Sequence, residues 1–340
     1  MMRETDVAII GAGPAGCVCA YLLKRAGVDC LIVDFASFPR EKICGGGLTP
    51  KAYELLQELM PNLHYDYHGT RYFTLMMDGK RLCEVELEKE LRMVHRKEFD
   101  KALLDQYTAI GGNLVKDTFS HFEKRQDGKI LVSLKSGDTI VCNHLVAADG
   151  ANSRVRRQMT RERRKTTLWM EQYVEKGANE FIFEFSRRYK KGYFFSVPGI
   201  DHHTVGMGGF YRSPQEIRQE LCCNKIRLIN SSNASPLRGA NIPVDTTRSK
   251  IKNIILIGDA GGFANKLTYE GLYYAFVTGQ NASKAILNGK SFDTVNHNIF
   301  LNKRKEVIIT RLVYSRLGLW LMRVGARRPS LIKKAFEMHY

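Results

Sequence analysis

Val7-Ala8-Ile9-Ile10-Gly11-Ala12-Gly13-Pro14-Ala15-Gly16 is the part of this chain whose reading decides the fold. Its four apolar residues form a run of the kind that makes a buried parallel strand. The glycines follow at once, and a helical pattern over Cys17 to Arg25 stops at Gly27. A second apolar run, Cys30 to Val33, ends in Asp34. Strand, glycine turn, helix, strand and acid within roughly thirty residues make the context a dinucleotide fingerprint requires. Gly11 permits the tight turn, Gly13 lets backbone approach a pyrophosphate, and Gly16 lets the helix pack close to the strand. Pro14 and Ala15 open a helix whose N-terminal N–H groups and partial positive charge suit phosphates. Asp34 sits where a carboxylate can accept both ribose hydroxyls of an adenosine.

Outward from that segment, 340 residues suffice for two domains, or for one large domain with a lid. With 44% hydrophobic and 26% charged residues the chain reads as globular and not disordered. The formal net charge of +17 favours anionic partners: nucleotides, nucleic acid or an anionic membrane surface. Cysteines at 17, 19, 30, 44, 83, 142, 222 and 223 show neither paired zinc spacing nor a secreted disulfide pattern. No signal peptide precedes the first strand, and no apolar run reaches the length of about eighteen residues that spans a bilayer. A reducing cytoplasm is the expected location.

Further along, Pro50 to Met60 reads as a helix with Thr49 as its cap, and Asp78-Gly79 as a hairpin turn between Tyr72–Met77 and Lys80–Leu87. His95-Arg96 leads into a helix over Lys97 to Ile110, followed by short strands at 113–115, 120–124 and 130–134. The apolar run Thr139 to Ala148 ends in Asp149-Gly150, and the segment 161–165 is densely basic. Strand character returns in Phe181–Phe185, Tyr193–Val197 and His203–Gly208, then a helix is expected over Pro214 to Ser231. Ile251 to Ile257 is a last buried strand, ending in Gly258-Asp259; helices over Glu270 to Leu287 and Phe300 to Val324 complete the chain.

Three glycine–acid turns therefore stand at the ends of apolar strands far apart in sequence, with Arg96 of His-Arg-x-x-Phe-Asp between the first two. Each alone is a commonplace turn pair. Together they suit a long ligand with two phosphates and two polyols. The first turn takes the adenosine and pyrophosphate, Asp259 accepts from a ribityl chain, and the amides around Gly261 to Gly271 face the pyrimidine edge of a flavin.

The order of motifs resembles that of the p-hydroxybenzoate hydroxylase-type flavoproteins, which include aromatic hydroxylases and geranylgeranyl reductases. Asp149, Gly150, Ser153 and Arg156 match the Asp-Gly motif of that group, and Gly258 and Asp259 its Gly-Asp motif. Pro39-Arg40-Glu41-Lys42-Ile43-Cys44-Gly45-Gly46-Gly47-Leu48 resembles the Cys-Gly-Gly-Gly signature of the geranylgeranyl reductase branch. Asn265-x-Leu267-Thr268-x-Glu270-Gly271 resembles its flavin-side loop, with Lys266 and Tyr269 in place of proline and glycine. The resemblance runs from Asp6 to about Ile286, and in length and C-terminal pattern is closest to the CbrA-like members. Around Tyr193 the match to the branch's substrate strand is partial: Tyr193 and Pro198 agree, Lys190, Phe195 and Val197 do not. The same stretch is a looser match to a halogenase signature, without its tryptophans.

The resemblance implies FAD as cofactor, bound through Gly11, Gly13, Pro14, Ala15, Gly16, Asp34, Cys44, Gly45, Gly46, Arg96, Asp149, Gly258, Asp259 and Gly271. It implies an α/β architecture: a Rossmann-like doubly wound FAD-binding domain (1–64, 95–160 and 250–290), a sheet-rich substrate domain (65–94 and 161–249) and a basic helical C-terminal segment (291–340). The reaction expected is hydride transfer from reduced flavin to carbon–carbon double bonds of an isoprenoid or similar apolar lipid; a monooxygenase or halogenase is the alternative. Saturating an alkene also consumes a proton, so an acid or activated water must be close. Cys44 is the first catalytic candidate, against its reading as a small buried residue in a glycine loop. Tyr193 is the second; with Phe195, two residues on, it would share one strand face and line an apolar tunnel. No second nucleotide fingerprint is present, so NAD(P)H visits transiently or a protein supplies the electrons.

Leu301 to Tyr340 carries ten Lys or Arg against two Glu, a net of +8 (10 − 2). Apolar Val307, Ile308, Leu312, Leu319 and Trp320 interleave there with arginines, the pattern of an interfacial helix on anionic lipid at the inner face of a membrane. A solvated basic face over a core helix fits equally. No nucleic-acid-binding module is present, and no nucleic-acid partner is expected.

Overall fold

The computed structural model describes residues 1–160, 166–175, 180–189, 191–211, 213–229 and 234–337. The basic segment 161–165 and Lys190 lie outside them. Two sheets organise the described residues. The first runs in the order Asn113–Lys116, Cys30–Asp34, Met2–Ile10, Thr139–Ala147, Ile130–Leu134, Phe119–Lys124, with Ile254–Leu256 also paired to Thr139–Ala147. The strands 113–116, 30–34, 2–10, 139–147 and 254–256 are mutually parallel; the other two form an antiparallel extension.

The unbroken apolar runs follow from coverage on both faces. Val7, Ile9 and Ile32 point into a core shared with the helices Pro14–Arg25, Arg96–Ala109 and Leu272–Leu287. Their neighbours Ala8, Ile10, Leu31 and Val33 point the other way, onto Phe119, Phe122 and Val132 of the antiparallel extension. The strand Thr139–Ala147 divides its pairing: 139–142 bond the extension, while 145–147 bond Ile254–Leu256. That last strand is shorter than the expected Ile251 to Ile257, because Ile251 accepts from Ile254 and Ser249 in a turn.

The second sheet runs Arg238–Pro243, Thr166–Val174, His203–Gly209, Phe194–Pro198, Ile182–Phe185, His68–Met77, Lys80–Met93, Gly47–Leu48. The hairpin turns at Asp78-Gly79 as expected, but both strands are longer than the alternation suggested. The helix after Pro214 ends as α-helix at Asn224 and continues as a π-turn through Ile229. The helix expected from Glu270 begins at Leu272, since Asn265 donates its N–H to the Glu270 carbonyl and ties residues 265–270 into a loop.

The C-terminal helix expected over Phe300 to Val324 is two helices, His297–Val313 and Arg316–Gly325, with a third at Pro329–Glu337. Ser315 makes the break: its hydroxyl accepts from the Gly318 N–H and starts a new helix. The third helix lies on the second sheet, with Phe336 4.6 Å from the Phe73 ring and Glu337 accepting from the Glu88 N–H. Among the described residues no helix is long and apolar enough to cross a membrane.

Glu184, on the strand Ile182–Phe185, is fully buried and accepts from the Gly79 N–H at 2.8 Å and from Arg227 at 3.2 Å. Burial raises its pKa from 4.5 to about 7, against the pull of those donors. The folded state therefore holds a proton that the unfolded chain has released between those values, and stability falls as pH rises through that window. Denaturant unfolding on either side of the window should show a shallower decline for Glu184→Gln than for the wild type; parallel declines would contradict this placement.

Candidate functional site

The three glycine–acid turns meet at the ends of the parallel strands. Gly11 has φ +109°, and a Cβ there would overlap the Ala148 carbonyl, so the first turn lies directly on the residue before Asp149. A Cβ on Gly16 would overlap the Gly11 carbonyl, and one on Gly258 would stand 3.0 Å from Ala15. The first motif thus touches the second through backbone and the third through the Ala15 methyl. Gly13 differs: a Cβ there would find only the Arg40 guanidinium, at 3.7 Å, leaving open space in front of the loop. The helix starting at Pro14 has no side-chain cap, so its first N–H groups face that space.

Asp34 is buried and accepts from the Ala12 N–H at 2.7 Å and the Ala36 N–H at 2.8 Å. It braces the glycine turn while each oxygen keeps a second lone pair. Asp149 accepts from the Arg154 and Val155 N–H groups on one oxygen; its other oxygen is buried without a partner. Burial raises the Asp149 pKa, and those backbone donors pull the other way. Arg156, buried beside it, donates to the carbonyls of Ala260 and Ala151 and so ties the second motif to the third. Gly271 is adjacent to Asp259, whose Oδ1 lies 3.7 Å from where a Cβ would stand.

Between these turns and the second sheet runs the glycine loop 44–47. Arg96 holds Asp100 in a two-point ion pair at 2.8 and 3.0 Å, and Arg40 reaches the same carboxylate at 3.2 Å. Burial opposes the charge on Arg96, but Asp100 and the Cys44 sulfur more than offset it and raise its pKa. Cys44 is half-buried; its N–H donates to Glu171 at 3.0 Å and its sulfur accepts from the Gly46 N–H at 3.4 Å. Beside it opens a cavity of about 80 Å³ lined by Cys44, Gly45, Arg96, Lys42 and His202. Against Gly45 lies the Phe195 ring, 3.3 Å from where a Cβ would be.

Tyr193 lies one residue before its strand, which begins at Phe194, and the expected alternation holds: Tyr193 and Phe195 share one cluster while Phe194 packs into another. The tyrosine hydroxyl donates to the Thr268 carbonyl at 2.6 Å, which makes it a brace of the loop 265–270. Both rings nonetheless pack with Trp169, at 5.0 and 6.1 Å, and Tyr269 stacks on Trp169 at 4.6 Å. Thr49 occupies the expected cap position without capping; its hydroxyl donates to Glu270 at 2.5 Å.

Several residues of this region escape sequence reasoning. Glu306 accepts from the Asn265 side chain, the Lys266 N–H and the Tyr274 hydroxyl, while Lys303 bonds both Glu306 and the Ala264 carbonyl. Charges expected on a solvated or lipid-facing surface are instead buried, fastening the C-terminal helix to the loop beside Asp259. Glu171 carried one weak signal: it is in phase with Thr167 and Trp169 on the buried face of its strand.

A family model described as FAD binding domain matches residues 4–202. The chain belongs to that family and is an FAD-dependent oxidoreductase. The residues present fit the cofactor: the open face of Gly13 and the uncapped helix start suit the pyrophosphate, and the unpartnered Asp149 oxygen waits for a donor. The chain is 27% identical to menaquinone reductase of Mycolicibacterium smegmatis, over 85% of this chain and 78% of that one. It is 29% identical to digeranylgeranylglycerophospholipid reductase 1 of Methanothermobacter thermautotrophicus, over 85% and 79% respectively. A geranylgeranyl bacteriochlorophyll reductase-like protein from Thermoplasma acidophilum shares the fold, with TM-score 0.74 and 18% identity over 98% of this chain and 91% of that one. The resemblance to the geranylgeranyl reductase group is borne out.

Gly13→Val should fold like the wild type yet lose FAD, because the added methyls fill only the open space before the loop. Gly16→Val should instead lose stability by about 1–3 kcal/mol or more through overpacking. Thermal melts with and without FAD separate the two; an FAD-induced rise in melting temperature for Gly13→Val would contradict the placement.

Proposed function

We propose that this flavoprotein saturates carbon–carbon double bonds of an isoprenoid chain. The observation that carries the proposal is the aromatic wall of Trp169, Tyr193, Phe195 and Tyr269, packed on one another and buried except at the half-buried Phe195, whose ring meets the glycine loop at Gly45 beside Cys44. An apolar chain laid against the Phe195 ring loses water contact where the protein surface is itself apolar. The FAD-binding unit comprises 1–64, 95–160 and 250–290, and the substrate unit 65–94 and 161–249. Gly11 to Gly16, Asp34 and Arg96 hold the adenosine and pyrophosphate half; Asp149, Asp259 and Gly271 hold the ribityl and ring end. Reduced flavin supplies the hydride, and the electrons reach it from NAD(P)H or a protein donor. The chain's own residues exclude water, orient the alkene and bring a proton to the second carbon. Cys44 stands at the junction of wall and loop, with Arg96 and the Gly46 N–H at its sulfur.

Anaerobic incubation with chemically reduced FAD and a geranylgeranyl lipid should raise the lipid's mass by a pair of hydrogens for each bond reduced. Cys44→Ser should keep FAD and slow that reduction by about 10²–10⁴-fold, the usual range for a lost acid. Oxygen-dependent hydroxylation or halogenation with no anaerobic reduction would contradict the proposal.

The C-terminal helices also present Ile308, Leu312, Leu317, Trp320 and Leu321 to the outside, interleaved with Arg311, Arg316 and Arg323. We read this face as a peripheral contact with anionic lipid, by which the enzyme reaches a membrane-dissolved substrate. Vesicles containing phosphatidylserine should sediment the protein and neutral vesicles should not; Trp320→Ala with Leu321→Ala should weaken sedimentation. Equal behaviour with both vesicle types would contradict the reading.

A further inference from the structure

Glu171 sits on the strand Thr166–Val174, buried, with one oxygen on the Cys44 N–H at 3.0 Å. Around it stand Arg238, its partner on the adjacent strand, together with Arg96 from the helix start and Lys42 from the glycine loop. On the other neighbouring strand the facing residue is Gly206, which carries no charge. Beyond Arg238 lie Tyr173, whose ring the guanidinium covers at 4.3 Å, and Glu41 at 3.4 Å. The Cys44 sulfur is a short side chain away from the N–H that Glu171 accepts. One end of the Cys44 residue thus meets a buried carboxyl, Glu171, at its N–H, and the other meets Arg96 at its sulfur, the guanidinium being also paired with the buried Asp100.

We propose that Glu171 is a positioning residue for Cys44, gripping the loop through the backbone N–H and setting, by its own charge, how readily the neighbouring thiol ionises. The proposal rests on the placement of Cys44 at the flavin site described above. When Glu171 is ionised, its negative charge opposes a thiolate, and the Arg96 guanidinium is partly answered by the carboxylate. When it is protonated, that opposition disappears, and Arg96, still paired with Asp100, faces the sulfur without the second carboxylate. Burial raises the Glu171 pKa from 4.5 to about 7, against the pull of the Cys44 N–H, Arg238, Arg96 and Lys42, so the change falls near neutrality. The sign is fixed: below that value the carboxyl is neutral and the thiol is least opposed; above it the charge appears and holds the proton on sulfur. The device suits a site where a proton must be kept on a donor until an alkene is in place.

The test is the rate of Cys44 alkylation by iodoacetamide across the neutral range, read by peptide mass spectrometry on the full chain. Neither turnover nor a known substrate is needed. Glu171→Gln keeps an oxygen for the Cys44 N–H and removes the charge. It should react like the wild type below about pH 7 and faster above it, by about tenfold. Glu171→Ala, which also loses the acceptor, should react faster at every pH. Identical profiles for the wild type and Glu171→Gln would overturn the proposal, as would a uniform acceleration of Glu171→Gln at all pH values, which marks a merely loosened loop. The same series with excess FAD separates this proposal from the one beneath it. Protection of Cys44 by FAD supports the site, and its absence counts against the site whatever the pH profiles show.

Discussion

Everything in this molecule depends on backbone contact between glycine turns that lie more than a hundred residues apart in sequence. Gly11 lies on the Ala148 carbonyl and the Gly258 backbone on the Ala15 methyl, while within the first turn Gly16 lies on the Gly11 carbonyl, at separations that leave little or no room for a side chain. Gly279, on the helix Leu272–Leu287, repeats the arrangement against the Ala15 carbonyl. These contacts draw the ends of three parallel strands together and aim the uncapped start of one helix into the gap. A dinucleotide needs such a surface, because its phosphates must reach backbone N–H groups without displacing side chains.

A second layer of order is ionic. Asp100 is fully buried and answers both Arg40, next to Gly13, and Arg96, next to Cys44. One carboxylate thus couples the fingerprint turn at Gly13 to the glycine loop 44–47. Such a pair in low dielectric adds little net stability, but breaking it leaves a buried charge without a partner. The Lys303–Glu306 pair does the same service for the loop 264–270, from the C-terminal helix. That makes the C-terminal helix a support of the loop that follows Asp259 as well as part of the outer face.

How much of this was legible in the sequence depended on the distance over which each signal acts. The parallel strands and fingerprint helix were visible because burial on both faces forces continuous apolar runs, and because the glycine spacing is local. The convergence of Asp149 and Gly258 on the first turn was legible only through the order of motifs. The shared face of Tyr193 and Phe195 was legible in their alternation, but the bond from the Tyr193 hydroxyl to the Thr268 carbonyl was not, since its partner lies 75 residues on. The break at Ser315 hid inside an apolar and basic pattern that continues across it unchanged. Lys303 and Glu306 resembled any surface ion pair one turn apart on a helix; only the loop packed against them makes them interior. Glu171 likewise reads as a polar residue of a strand until the Cys44 loop is set against it.

The central claim is that separated turns form one binding surface for one FAD. Its most direct test is a calorimetric titration of the purified wild-type chain with FAD, repeated in the presence of ADP. The account predicts one FAD bound per chain and competition by ADP, since the first turn receives the adenosine and pyrophosphate common to both. Absence of FAD binding, or binding indifferent to saturating ADP, would contradict it.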